Sequence, residues 1–85
     1  MADYRLTISK SAYKELEKLP SKVFDRLYPK MEKLPENPFP IGSKKLIGSS
    51  NKYRMREGDY RLIYMLEKNE IIIIAAKHRR EVYRD

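Results

Sequence analysis

Two blocks that mix cations with phenols lie in the second half of the chain. The first is Lys52-Tyr53-Arg54-Met55-Arg56-Glu57-Gly58-Asp59-Tyr60-Arg61, which runs straight into Leu62-Ile63-Tyr64. The second, Lys77-His78-Arg79-Arg80-Glu81-Val82-Tyr83, follows an unbroken run of four isoleucines at 71–74. A hairpin would bring the far end of one block beside the end of the other. Fixed positive charge and phenol groups would then gather at one edge of a sheet, as an enzyme or a binder acting on a polyanion requires. A guanidinium suits this work, because its planar fork can hold two phosphate oxygens at once.

The elements that must position these blocks follow from periodicity. Residues 3–8 alternate, with Tyr4, Leu6 and Ile8 on one face, and predict a first strand. Ser9 or Ser11 can cap a helix over 10–19, with Ala12, Leu16 and Leu19 as its apolar stripe. Pro20 stops it, and Ser21 can cap a second helix carrying Val23, Leu27, Met31 and Leu34. Pro29 lies inside that stripe, where it removes a donor and clashes with the carbonyl of Asp25. A kink or an early break is expected there. Residues 35–42, with three prolines and a glycine, form a loop. Strands are expected near 45–47, then over 52–56, 60–66 and 71–77, with a tight turn at Gly58-Asp59. The expected fold is α+β: an N-terminal strand and an antiparallel two-helix hairpin packed on a small antiparallel sheet, in a β-α-α-β-β-β meander. The 71–74 run is apolar on both faces, so its strand is expected to be central. In 52–56, Lys52, Arg54 and Arg56 share one face. Burying three cations is costly, so that face is expected to meet water or an anion.

Composition bounds the function. Eighty-five residues make one domain, 1–85, with a thin core. There is no cysteine and one histidine, which speaks against disulfides and a dedicated metal site; no cofactor is expected. No apolar segment is long enough to span a bilayer, and a cytoplasmic protein without membrane partners is expected. The net charge of +7 and pI near 9.7 are carried mostly by residues 44–85. Such a basic stripe favours nucleic acid; the plain alternative is a Lys-rich soluble surface.

The order and spacing of these pieces resemble the RelE/ParE superfamily of bacterial toxins, on the RelE side. The resemblance runs through Leu19-Pro20 at the helix junction, Glu36-Asn37-Pro38, Lys45-Leu46, Tyr53-Arg54-Met55-Arg56, Gly58-Asp59-Tyr60-Arg61-Leu62-Ile63-Tyr64 and His78-Arg79-Arg80-Glu81-Val82-Tyr83. It implies a ribosome-dependent endoribonuclease, the toxin half of a type II toxin–antitoxin pair, whose partners are the ribosome, messenger RNA and a cognate antitoxin of RelB-like or other small DNA-binding type. By the same resemblance, Arg61, Arg79 and Tyr83 match catalytic positions. Lys52, Arg54 and Arg56 match the phosphate-gripping strand, and Lys45, His78 and Arg80 are expected to contact RNA with them. The alternative within the superfamily is a ParE-like inhibitor of DNA gyrase without nuclease activity.

The chemistry such a toxin needs is metal-independent. The 2′-hydroxyl attacks its neighbouring phosphate, and cations aimed at that phosphate stabilise the charge that builds up. Tyr83 beside Arg79 and Arg80 is a plausible base, since neighbouring cations favour a phenolate. His78, the only imidazole, reads either as a proton shuttle or as a half-buried residue ending a strand. Tyr53, Tyr60 and Tyr64 read as packing residues.

Overall fold

The computed structural model describes residues 4–80. The chain runs β1 (Arg5–Ile8), α1 (Lys10–Glu17), α2 (Ser21–Glu32), β2 (Lys44–Lys45), β3 (Lys52–Glu57), β4 (Tyr60–Glu67) and β5 (Glu70–His78). Ser9 is the residue that caps α1; its hydroxyl accepts from the Ala12 N–H at 3.2 Å. Ser21 does not cap α2. Pro20 stands at that position with extended backbone, and its carbonyl accepts from the N–H groups of both Val23 and Phe24 at 3.0 Å. Pro29 neither breaks nor ends α2, which continues to Glu32. Pro29 and Asp25 are both exposed, so water can satisfy the carbonyl that the proline leaves without a donor.

The sheet is mixed, not wholly antiparallel as expected. Its strand order is β1-β5-β4-β3-β2, and β1 pairs parallel with β5, from Arg5 opposite Glu70 to Ile8 opposite Ile73. The helical crossover between the two permits this pairing. A buried strand needs a hydrogen-bonding neighbour along each edge for its backbone groups. The meander supplies only β4, so β1 pairs with the other edge. The strand expected near 45–47 is shorter and earlier, Lys44–Lys45.

The two helices cover one face of the sheet. Ala12 and Leu16 of α1, with Leu27 and Met31 of α2, pack on Met55, Leu62, Tyr64, Ile71, Ile73 and Ala76. Burial of these side chains, at about 1.5–3 kcal/mol for each larger one, is the main force holding the helices to the sheet. The opposite face has a smaller buried cluster of Leu46, Ile63 and Ala75. Among the described residues, no helix is long and apolar enough to cross a membrane.

Two details of the sheet shape the site. Between the pairs Ile63–Ala75 and Tyr64–Ile73 the register slips by one residue at Ile74, a β-bulge. Side chains alternate between faces along a strand, so the slip reverses which face each later residue of β5 occupies. The second detail is the outer edge of β5. β1 ends opposite Ile73, and beyond it the Glu15 carboxylate of α1 accepts the Ala76 N–H at 2.9 Å and pairs with Lys77.

Candidate functional site

The site is built on the β3–β4 hairpin. Glu57 and Tyr60 close a two-residue turn in which Gly58 takes φ +58°, a conformation that side chains beyond glycine resist. One rung further in, Arg56 stands opposite Arg61, and Arg61 stands opposite Lys77 on β5. Arg56 and Arg61 thus stand side by side on neighbouring strands, while Lys77, the third cation of the rung, is paired with Glu15. Two guanidinium groups on adjacent strands give the rung a positive potential that would favour a bound anion.

Arg79 joins them because of the bulge. In unbroken alternation from Ile71 and Ile73, residue 79 would point to the helix face; the slip at Ile74 gives it the face of Arg61. The Arg79 N–H donates to the Asp59 carbonyl at 2.7 Å, which carries the strand ladder one step past His78 and fixes residue 79 beside the turn. Arg56, Gly58, Asp59, Arg61 and Arg79 line a cleft of about 270 Å³. The Arg79 Nε lies 3.6 Å from Asp59 Oδ1, with both side chains mostly exposed. An exposed pair of this length is weak, and a phosphate could displace it.

The other expected site residues are spread more widely. Arg54 does not meet water as its strand face suggested. It is 8% exposed, and its guanidinium donates to the Gly42 carbonyl at 3.1 Å. The loop after α2 folds over β3 and supplies that acceptor, so the charge is buried with a hydrogen-bond partner. Lys52 is half-buried at the opposite end of β3 from Arg56, and Lys45 is exposed on the edge strand β2. His78 packs edge-on against Tyr60, ring centroids 4.9 Å apart, and its Nδ1 accepts the Arg80 N–H at 3.1 Å. His78 and Arg80 line a separate cleft with Glu15, Lys18 and Tyr60. Tyr83 lies outside the described residues.

Sequence reading missed Lys30 and Lys33. Both line a cleft of about 450 Å³ with Pro40, Ile41, Arg54 and Arg56, and Lys30 Nζ sits 2.6 Å from Glu57 Oε1. Their spacing at i, i+3, flanking the apolar stripe of α2, was the available signal. Glu15 was missed as well; a lone glutamate on a helix face gives no sign that it will complete a strand edge. Of the tyrosines, Tyr64 is fully buried, as a packing residue should be. Its hydroxyl donates to the Pro38 carbonyl at 2.7 Å. Burial pushes its pKa from 10 up to about 12; a hydrogen bond with Ser43 pulls the other way, and Tyr53 adds a further upward push. Phe39, Tyr53 and Tyr64 form a chain of ring contacts, 5.2 and 5.8 Å between centroids, which ties the proline-rich loop to the sheet.

The model of the ParE toxin of the parDE type II toxin–antitoxin system matches residues 6–83. None of the curated proteins matches the sequence significantly. Among solved structures, the toxin of the archaeal RelE–RelB complex from Pyrococcus horikoshii is 32% identical with a TM-score of 0.79, over 94% of this chain and 99% of that one. The isolated RelE toxin of E. coli is 29% identical with a TM-score of 0.78, over 88% of this chain and 83% of that one. The YoeB dimer from Staphylococcus aureus, 22% identical with a TM-score of 0.73 over 91% of this chain and 98% of that one, shares the fold.

Proposed function

We propose that this chain, which belongs to the ParE toxin family of type II toxin–antitoxin systems, cuts messenger RNA on the ribosome without a metal ion. The observation that carries this reading is the convergence on one cleft of Arg56 and Arg61, from the β3–β4 hairpin, with Arg79, from just past the end of β5. A binder of polyanions needs positive charge over a broad surface. A phosphate-cleaving centre needs several donors aimed at one point, because its task is to stabilise charge that develops on a single group.

In this reading the RNA 2′-hydroxyl attacks the adjacent phosphorus, and the bond to the 5′-oxygen of the next nucleotide breaks. The products are a 2′,3′-cyclic phosphate and a 5′-hydroxyl. Arg61 and Arg79 hold the phosphate oxygens, and Arg56 adds positive potential from the neighbouring strand. Tyr83 takes the proton from the 2′-hydroxyl, and a water molecule protonates the leaving 5′-oxygen. A phenol, with an ordinary pKa near 10, is a modest base at neutral pH, so cleavage of free RNA is slow. The ribosome supplies the rest by holding the message in line for attack, an orientation effect worth up to roughly 7–11 kcal/mol. A cognate antitoxin covers the basic face or the helix pair and keeps the chain silent.

A second reading is kept because the matching family carries the ParE name: inhibition of DNA gyrase by the same fold, with no nuclease chemistry. Primer extension on a translated message, run beside a gyrase supercoiling assay, separates the two. Cuts inside ribosome-engaged codons are expected for the native chain, and Arg61→Ala should lower their rate about 10²–10³-fold, as for loss of one transition-state donor. Intact messages together with inhibited gyrase would replace the first reading with the second.

A further inference from the structure

The cleft between the end of α2 and β3 adjoins the arginine cleft, and Arg56 lines both. At about 450 Å³ it falls within the usual size of small-ligand sites. Its walls differ in kind. Lys30 and Lys33 line it from the end of α2, and Pro40 and Ile41 line it from the loop that Arg54 anchors. Ile41 is fully exposed, held out by Gly42, whose φ of +94° turns the chain sharply and whose carbonyl receives the Arg54 guanidinium. Glu57 would repel an anion near this cleft, but Lys30 neutralises it at 2.6 Å.

We propose that this cleft is a subsite for a nucleotide flanking the cut, with Lys33 on its phosphate and Ile41 against its base. The inference rests on the RNA-cutting reading and extends it: the chain grips single-stranded RNA for one nucleotide beyond the scissile linkage, by charge on one side and apolar contact on the other. The contact reads no base edge, so it favours single strands without selecting sequence.

The test titrates the purified chain against a fluorescein-labelled, fully 2′-O-methylated RNA decamer across a salt series; this RNA lacks the hydroxyl needed for its own cleavage. Lys33→Gln is expected to weaken binding roughly fivefold and to lower the slope of log affinity against log salt by about 0.7, the signature of one lost phosphate contact on a single strand. Ile41→Ser should weaken binding with the slope unchanged. Lys68→Gln removes the same charge from the β4–β5 turn, at the other end of the hairpin from Gly58, and should change neither quantity. Equal losses for Lys33→Gln and Lys68→Gln, or no loss for Lys33→Gln, overturn the subsite alone. A native chain that binds no decamer and cuts no message overturns the subsite together with the reading beneath it.

Discussion

At the scale of single residues, the proposed mechanism puts the chemistry on the guanidinium groups of Arg61 and Arg79, while Tyr64 supports the fold. Arg61 lies on a strand with a neighbour on each side, so its backbone position is fixed. Arg79 is held by one backbone hydrogen bond to Asp59 and by a loose ion pair to the same residue. Substituting Arg61 should therefore remove a charge whose strand holds it in place. Tyr64 acts on stability instead. Its folded-state pKa of about 12 lies above the ordinary value of 10. The stability contributed by the neutral phenol is fully present below pH 10 and is lost as pH rises toward 12. Denaturant midpoints measured from pH 8 to 11.5 should fall more steeply for the native chain than for Tyr64→Phe. At pH 8, Tyr64→Phe should be less stable by about 1–2 kcal/mol, because the Pro38 carbonyl loses its donor.

At the scale of elements, the aim of the site depends on how β5 ends. The bulge at Ile74 decides which face Arg79 occupies, and Glu15 completes the strand edge where β1 stops. Glu15→Ala should destabilise the fold by about 1–3 kcal/mol, the cost of stripping a donor and a cation of their shared partner. Glu15→Gln, which keeps an acceptor for the Ala76 N–H, should cost about half as much. Amide hydrogen exchange at Ala76 is the local readout: faster exchange is expected in the alanine variant and near-native protection in the glutamine variant. Neither feature was legible in the sequence. A run of isoleucines reads the same with or without a bulge, since every residue in it suits either face. The helices, the β3–β4 turn and the three long strands were legible, because their apolar spacing and the Gly58-Asp59 pair are local signals. The central place of β5 was legible from its doubly apolar run, but the parallel pairing of β1 with it was not, because an N-terminal strand carries no local mark of its distant partner. The burial of Arg54 was not, because its acceptor comes from a loop twelve residues away in sequence.

At the scale of the whole molecule, charge and fold divide the labour. A net charge of +7 concentrated in the second half of the chain draws the protein toward any polyanion, and that attraction weakens with salt. The fold then narrows a general attraction to one place, by bringing Arg56, Arg61 and Arg79 to a shared cleft beside a second, half-apolar one. The clustering of Arg61 with Arg79 was the part of the site that sequence spacing foretold; the extension through Lys30 and Lys33 appeared only when α2 was seen against β3. The central claim is that cleavage runs through the RNA's own 2′-hydroxyl. The direct measurement uses a translated message carrying a single 2′-deoxy nucleotide immediately 5′ of a mapped cut. The unmodified message should be cut there and yield a fragment with a 5′-hydroxyl, while the deoxy message should survive at that bond. Cutting of the deoxy message at the same bond would contradict the mechanism.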